Sequence, residues 1–282
     1  MKNENTSQTM QANAQEIESA LIQWDNQEVS SIEFPQAFNF PESFQSSSPA
    51  VVVCRNFPDS KESLPVTNAD RTTYTIDRNE DVEGQQHFNM LSIASKEEGG
   101  PNYSRVLDQF ENSVAVIQWG TARSETNDTQ RFSFYRHFDN NCYAVVNNPR
   151  GADAENNLPI VSADNNSFTI NRASGTDDQD FYWIAIGDCN VRNGYFSFEI
   201  GNGYVIKGGV STSTLDDDQS FYFSTMGLSN FSTECSVVIT NRQEKNSKSI
   251  LPVTNMSASG FTLNRTDNIT GDEKFWWIAL GR

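Results

Sequence analysis

Two stretches of this chain repeat one set of side chains: an amide, a guanidinium group and an indole. The members are Asn171, Arg172 and Trp183 in the first stretch and Asn264, Arg265 and Trp277 in the second. Amide and guanidinium groups hydrogen-bond hydroxyls, and an indole face packs on the apolar side of a sugar ring. These six are therefore the candidate ligand-binding residues, and the predicted ligand is a saccharide.

The same arginines have a structural alternative. A third one, Arg78, follows a similar strand pattern near the front of the chain. A long side chain at the end of a strand can bond a carboxylate or carbonyl group of a neighbouring unit. Binding and structural roles both stay open from the sequence, and Arg172→Ala distinguishes them by its effects on glycan binding and on melting.

Catalytic chemistry finds little support in the sequence. His87 and His137 occupy non-equivalent places, and neither a nucleophile elbow nor a zinc-binding motif occurs. The acidic loops Asp177–Asp180 and Asp216–Asp218 lack the ligand pattern of a dedicated Ca²⁺ loop and are predicted to be solvated turns. We therefore predict no enzyme, no catalytic residues, no metal site and no cofactor, although a glycosidase needs only two suitably spaced carboxylates.

The elements that would position these residues form a tandem repeat. Phe181–Gly187 recurs as Phe275–Gly281, and both runs are predicted to be buried strands. Upstream of each, a Leu-Pro pair precedes a recurring arginine by 14 positions, as from Leu158 to Arg172. A repeat of this length, occurring three times, predicts three alike small domains.

Short apolar runs separated by Asn, Asp, Gly, Ser and Pro clusters are typical of antiparallel sandwiches. The predicted fold is all-β, with three tandem β-sandwich domains and short N-terminal and inter-domain helices. The predicted divisions are an attachment segment at 1–19, repeat one at 20–95, a helical linker at 96–114, repeat two at 115–187, a hairpin connector at 188–203 and repeat three at 204–282.

The helices are predicted from apolar spacing. Steps of three and four residues occur in two segments, which are Met10, Ala14, Ile17 and Leu21, and Tyr103, Leu107, Phe110, Val114 and Ile117. Each could be an amphipathic helix on its own domain or part of a coiled coil. Before repeat three, Gly194–Tyr204 alternates around Gly-Asn-Gly and predicts a hairpin instead.

Charge and composition exclude several classes of partner. With Lys+Arg 20 against Asp+Glu 37, the net charge is −17, so phosphate backbones and anionic lipids would repel the chain. The mean hydropathy is −0.58 and no long apolar run occurs, which argues against membrane insertion. The first 15 residues lack the apolar core of a secretory signal. The four cysteines are predicted to be free thiols, which fits synthesis in a reducing cytoplasm.

The order of several motifs resembles a known domain. Ile117–Gly120, Cys142–Val146, Phe168–Asn171 and Phe181–Gly187 together resemble the C-terminal domain of bacteriophage tail fibre proteins, a small β-sandwich of the H-type lectin kind. The second unit matches over its length, the third over most of it, and the first is divergent. The resemblance implies a non-enzymatic, trimeric host-binding tip located in the virion tail.

Two functions are expected from this resemblance. The first is a tail fibre or tail tip protein that binds a host surface glycan through loops of repeats two and three. The alternative is a structural tail, baseplate or adaptor component of a virion or phage-derived injection apparatus, attached to other tail proteins through its N-terminal segment. The chain is expected to form a homotrimer, because helices precede only two of the three units. A single-chain pseudo-trimer is the alternative.

Overall fold

The computed structural model of this protein consists of strands and short connections. The described residues are 13–29, 35–56, 64–77, 86–125, 129–150, 158–172, 178–214, 218–243, 251–265 and 271–282. Arg78, Met10 and three residues of the acidic loops, Asp177, Asp216 and Asp217, lie outside these ranges. No part of the chain that the structure describes forms a helix long and apolar enough to cross a membrane.

Unit one, residues 13–95, contains seven strands. They are β1 (Asn13–Ile17), β2 (Ala20–Val29), β3 (Gln36–Asn39), β4 (Ala50–Arg55), β5 (Val66–Ala69), β6 (Thr73–Ile76) and β7 (Gln86–Ser95). A four-stranded sheet has the order β1-β2-β7-β4, and a three-stranded sheet has the order β3-β6-β5.

Unit two, residues 103–187, repeats this plan. Its strands are β8 (Tyr103–Leu107), β9 (Ser113–Ser124), β10 (Thr129–Ser133), β11 (Cys142–Arg150), β12 (Ile160–Ala163), β13 (Ser167–Asn171) and β14 (Gln179–Gly187). The larger sheet has the order β11-β14-β9-β8 and the smaller one the order β10-β13-β12.

Unit three, residues 191–281, adds one short strand to the plan. Its strands are β15 (Val191–Arg192), β16 (Tyr195–Gly201), β17 (Tyr204–Ser213), β18 (Asp218–Tyr222), β19 (Cys235–Arg242), β20 (Val253–Ser257), β21 (Gly260–Asn264) and β22 (Glu273–Gly281), with a 3-10 helix at Phe223–Met226. The sheets have the orders β15-β16-β17-β22-β19 and β18-β21-β20. All pairings in the three units are antiparallel, so the all-β prediction is confirmed.

The predicted helices are wrong within the described residues. The segment before unit one is β1, which pairs with β2, and the segment before unit two is β8, which pairs with β9. In β8 the side chains of Ser104 and Val106 point inward, and the small polar Ser104 hides this alternation from a search for apolar periods. The following turn is closed by Asp108, whose carboxylate accepts the backbone N–H groups of Phe110 and Asn112 at 2.8 and 2.9 Å.

All three units therefore begin with a hairpin. The predicted turn at Asn202 and Gly203 joins β16 to β17, and the hairpins β1-β2 and β8-β9 are its counterparts. Each hairpin is part of the larger sheet of its own unit. The difference between units that favoured a homotrimer in the sequence is thus absent from the fold.

Each unit packs its two sheets over a matching trio of aromatic rings. In unit two, Phe132 stacks on Phe168 with centroids 5.5 Å apart and meets Phe181 edge-on at 5.1 Å. The matching trios are Phe38, Tyr74 and Phe88 in unit one and Phe221, Phe261 and Phe275 in unit three. Offset and edge-to-face rings of this kind add to the burial of apolar area, so each sandwich has its own interior.

The three larger sheets also contact one another in a ring. β4 of unit one lies against β14 of unit two, β11 of unit two lies against β22 of unit three, and β19 of unit three lies against β7 of unit one. The strands that meet occupy the same two places in every unit. The chain is therefore arranged around a pseudo-threefold axis.

Isoleucine and leucine side chains fill the centre of this ring. They are Ile22, Leu91, Ile93, Ile117, Ile184, Ile186, Ile206 and Ile278, and together they enclose a space of only ≈ 10 Å³. All eight are at most 3% exposed. A space of this size is at the lower limit for holding one water molecule, so the axis is a dry apolar core that all three units share.

The repeated Leu-Pro pair marks each contact between units. The leucines are Leu64, Leu158 and Leu251. Asn148 donates to the carbonyl oxygen of Leu64 at 3.1 Å, and the Cys54 thiol lies 3.6 Å from the carbonyl oxygen of Leu251. At the third contact, the backbone N–H of Ile160 donates to Asn241 at 3.0 Å. The Leu-Pro motif found in the sequence thus lies where neighbouring units of the ring contact each other.

Truncation at the axis should destabilise the whole molecule. We expect Ile184→Ala to lower the free energy of unfolding by about 2–5 kcal/mol, because it removes buried methylenes and leaves a cavity. Denaturant unfolding followed by tryptophan fluorescence measures this change. The control Leu107→Ala, at a side chain that is 37% exposed, should cost less than about 1 kcal/mol. Equal losses in the two variants would contradict a shared axis core.

Candidate functional site

The six predicted ligand-binding residues are all buried. Their exposed fractions are 3% for Asn171, 2% for Arg172, 3% for Trp183, 5% for Asn264, 1% for Arg265 and 0% for Trp277. Their contacts are internal: Asn171 donates to the Thr129 hydroxyl at 3.2 Å, and Trp277 donates to the Ser211 hydroxyl at 3.0 Å. Asn264 likewise donates to the Asp218 carboxylate at 3.0 Å.

The two arginines hold carbonyl groups of their own units. Arg172 donates to the carbonyl oxygen of Ser124 at 3.1 Å, and Arg265 donates to that of Ser213 at 3.2 Å. Glu273 lies 3.7 Å from Arg265 and 2.8 Å from Arg242, and all three are 1% exposed. The two guanidinium groups compensate the negative charge of the buried carboxylate. Without such compensation, burial of a carboxylate would be strongly unfavourable.

The structure does not bring the arginine and tryptophan of each set together. Ser124, which Arg172 bonds, is opposite Gln179, whereas Trp183 lies four residues farther along the same strand. Four residues of strand span about 13 Å. The same offset separates Arg265 from Trp277. Saccharide binding by these six residues stays a prediction. The bonds of the two arginines favour a structural role, but within their own units and not towards a neighbouring unit.

A surface residue that the sequence analysis missed lies directly over Trp183. The Tyr135 ring is 56% exposed and stacks on Trp183 with centroids 5.7 Å apart and planes 21° apart. A β-carbon added at Gly120 would lie 2.8 Å from the Tyr135 ring. Glycine at this position therefore makes room for an aromatic platform supported from below by a buried indole.

Two charged residues follow Tyr135 in the same loop. The Arg136 guanidinium lies 5.7 Å from the centre of the Tyr103 ring and 3.7 Å from the Asp139 carboxylate. We call Tyr103, Tyr135, Arg136 and Asp139 the Tyr135 patch. It combines aromatic faces with hydrogen-bond donors and acceptors, which is the chemistry expected of a polar ligand site.

The loop that carries the patch is held in place from both ends. Gln118, buried in β9, donates to the carbonyl oxygen of Arg136 at 2.7 Å and accepts its N–H at 3.0 Å. Asp188 accepts the N–H groups of Asp139 and Asn140 at 2.9 and 2.8 Å. These bonds fix the patch before any ligand arrives, which reduces the entropy lost on binding.

The matching places in the other units differ. In unit three, Tyr195 lies 6.1 Å from Trp277, and a β-carbon at Gly209 would lie 2.8 Å from it. That tyrosine comes from the hairpin strand and is half-buried. In unit one, Asp25 and Met90 stand at the places of Gly120 and Trp183. Among the described residues, an exposed ring on a buried indole at this place occurs only in unit two.

A signal for Tyr135 exists in the sequence. Phe132 and Phe134 alternate inward, so a third aromatic residue directly after them must point the other way. Together with the glycine at position 120, this break in the alternation could have located the platform.

Part of the chain matches a known protein family. Residues 112–188 match the family described as "Putative tail fiber protein gp53-like, C-terminal". Unit two is therefore similar to a tail fibre C-terminal domain. The match includes Gly120, Tyr135 and Trp183, so the platform lies within the matched range, and units one and three lie outside it. A search of curated proteins finds no match to the chain.

The four cysteines are free and buried, as predicted. Burial raises the pKa of the Cys54 and Cys142 thiols above the ordinary value. These thiols therefore stay protonated at neutral pH and behave as small apolar residues. No group of three His, Cys, Asp or Glu side chains within the described ranges is placed to bind a metal ion.

A buried lysine distinguishes unit three from unit two. Lys207 takes the place of Gln118, is 1% exposed and donates to the carbonyl oxygen of Ser229. Its ammonium group lies 3.8 Å from the centre of the Phe231 ring and 4.8 Å from that of Phe223. Burial lowers the pKa of Lys207 from 10.5 to about 8, because a desolvated ammonium group is disfavoured.

This pKa shift predicts a pH dependence of stability. Between pH 8 and 10.5 the unfolded chain keeps the Lys207 proton while the folded chain has released it. Stability from this group should therefore rise with pH in that window, by at most about 1.4 kcal/mol per pH unit. Lys207→Gln, which restores the residue of units one and two, should remove the rise. Denaturant unfolding at pH 8 and pH 10 measures it, and parallel pH curves for both proteins would refute the assignment.

Proposed function

We propose that this protein is a bacteriophage tail fibre or tail tip protein that binds a saccharide receptor on the host surface. The observation that carries this proposal is the exposed Tyr135 ring on Trp183 within the range that matches the tail fibre family. The Tyr135 patch is the proposed contact surface, and the protein is then a component of the virion tail.

The chemistry of the patch suits a sugar ring. The Tyr135 face offers an apolar surface for the C–H side of a pyranose, and Arg136 and Asp139 offer a donor and an acceptor for its hydroxyls. The charges of Arg136 and Asp139 offset each other. A neutral or weakly charged saccharide therefore fits better than a polyanion, which the net charge of −17 would repel.

A second candidate function is structural attachment within the tail. Phe110 is 73% exposed and Leu107 is 37% exposed on the turn between β8 and β9. Exposed apolar side chains at the tip of a hairpin are suited to contact with another protein. In this case the chain would hold other tail or baseplate proteins and need not bind a receptor itself.

We further propose that one chain forms the complete three-unit head. The larger sheets already contact each other around a pseudo-threefold axis, and all three units begin with the same hairpin. These features support the single-chain pseudo-trimer over the homotrimer, because the faces that would join three chains are used within one.

The receptor proposal predicts a specific loss of binding. On an array of bacterial surface glycans, Tyr135→Ala should lose the signal by about tenfold or more, since it removes the stacking face. Its melting temperature should change little. The matched control is Tyr222→Ala, because Tyr222 is 51% exposed on unit three and should keep full binding. Unchanged glycan binding by Tyr135→Ala would contradict the assignment of the Tyr135 patch as the receptor-binding surface.

The single-chain proposal predicts the mass in solution. Light scattering coupled to size-exclusion chromatography should give the mass of one chain, 31.6 kDa, over a range of protein concentrations. A stable species of three times that mass would restore the homotrimer.

A further inference from the structure

A cleft lies between unit one and unit three, and none of its lining residues belongs to the Tyr135 patch. Its volume is ≈ 700 Å³, which is in the range of small-molecule sites. Trp24 and Asn26 of β2 form one wall, and Tyr204, Thr233, Ser236 and Arg282 of unit three belong to the other. The site therefore exists only when the two units are packed together.

Two buried polar atoms on the unit-one wall have no partner within the described part of the chain. They are Nε1 of Trp24, a donor, and Oδ1 of Asn26, an acceptor. The Nδ2 group of Asn26 donates to the carbonyl oxygen of Ser236 at 2.8 Å, which fixes the orientation of the amide. A buried donor or acceptor that makes no hydrogen bond costs about 1–3 kcal/mol. A ligand or water that supplies both partners regains this free energy.

The unit-three wall offers an aromatic ring beside a cation. Tyr204 meets Trp24 edge-on with centroids 4.8 Å apart, and the Arg282 guanidinium lies 5.7 Å from the Tyr204 ring centre. Thr233 holds the backbone of Arg282, since its hydroxyl and its N–H both donate to that carbonyl oxygen, at 2.8 and 2.6 Å. The wall is thus ordered before binding.

The other two interfaces lack this ring. By strand register, Ala20 and Ala115 take the place of Tyr204 in units one and two. Trp119, which takes the place of Trp24 in unit two, also has an Nε1 group with no partner in the described ranges. Trp119 therefore serves as an internal control: it shares the indole position of Trp24 but faces no tyrosine of this kind.

The charges of the cleft select the class of ligand. Asp25 and Glu234 line it together with Arg282, and burial raises the pKa of the Asp25 carboxyl. An anionic ligand would meet these carboxyl groups, and a cationic ligand would meet the guanidinium. A neutral, polyhydroxylated ligand avoids repulsion by either the carboxyl groups or the guanidinium group. Its hydroxyls can supply both a hydrogen-bond donor and an acceptor.

We propose that this cleft is a second binding site, for one or two residues of a neutral saccharide. The class of ligand rests on the proposed receptor-binding function, but the site itself is separate from the Tyr135 patch. Its parts are the ring of Tyr204, the donor of Trp24 and the acceptor of Asn26. A fibre head with two such sites would engage a glycan chain at two points, which increases its effective affinity.

The test follows the indole resonances of the ¹⁵N-labelled chain during titration with neutral disaccharides: maltose, lactose, mannobiose and diacetylchitobiose. At least one should shift the Trp24 indole signal while the Trp119 signal stays in place. Tyr204→Ala should weaken that response by about tenfold, and Tyr135→Ala should leave it unchanged. Chemical shifts elsewhere in the spectrum show whether Tyr204→Ala is folded.

The outcomes separate the two proposals. If saccharides bind and Tyr135→Ala abolishes all binding while Trp24 never shifts, the cleft proposal is wrong and the Tyr135 patch stands. If Trp24 shifts and only Tyr204→Ala weakens binding, the cleft is the site and the patch assignment fails. If no saccharide shifts either region, both fail and the cleft is a hydrated groove between units.

Discussion

The structure depends on the packing of three apolar sheet faces around one axis. Each larger sheet contributes side chains from its two central strands, such as Ile22 and Leu91 of unit one or Ile117 and Ile184 of unit two. Each larger sheet has one face covered by the smaller sheet of its own sandwich. Its other face is also apolar and must be buried elsewhere. Closure of three sheets on one another satisfies all three at once.

Polar groups at the unit contacts then define how the sheets meet. The Leu-Pro pair leaves a leucine carbonyl oxygen that the neighbouring unit can bond, as Asn148 does at Leu64. Asn147 and Asn241 also bond each other across units two and three at 2.9 Å. A buried polar atom is costly without its partner, so these bonds favour one arrangement of the three sandwiches over others of similar apolar contact.

The strand content of the fold could be predicted because the repeats fall on strands. Phe181–Gly187 and its counterpart lie within β14 and β22. The helices could not be excluded, because the buried Ser104 interrupts the apolar alternation of β8. Spacing alone then matched a helix as well as a strand, and only the pairing of β8 with β9 decides between them.

The candidate site was less accessible to sequence reasoning. Repetition pointed to Arg172 and Trp183, but residues shared by units two and three are those that the common fold requires, and both are buried. Tyr135 was missed because it does not recur: unit three fills the matching place with Tyr195 from another strand. The ring arrangement was only one of two alternatives in the sequence, because contacts between units depend on which strands meet and not on any local pattern.

Differences between the units lie outside this common core. Gly120 admits a tyrosine over an indole in unit two, whereas Lys207 replaces a glutamine in unit three. Such changes leave the axis untouched, since they lie on the opposite face of the sheet from Ile117 and Ile206. The three units can therefore diverge in binding chemistry while the ring is retained.

Native-state hydrogen exchange tests the shared axis most directly. If the three units form one cooperative ring, the slowest amides of β7, β14 and β22 should exchange with a single free energy of opening and should respond together to added denaturant. Three distinct opening free energies, with one unit exchanging while the other two stay protected, would contradict a core held in common.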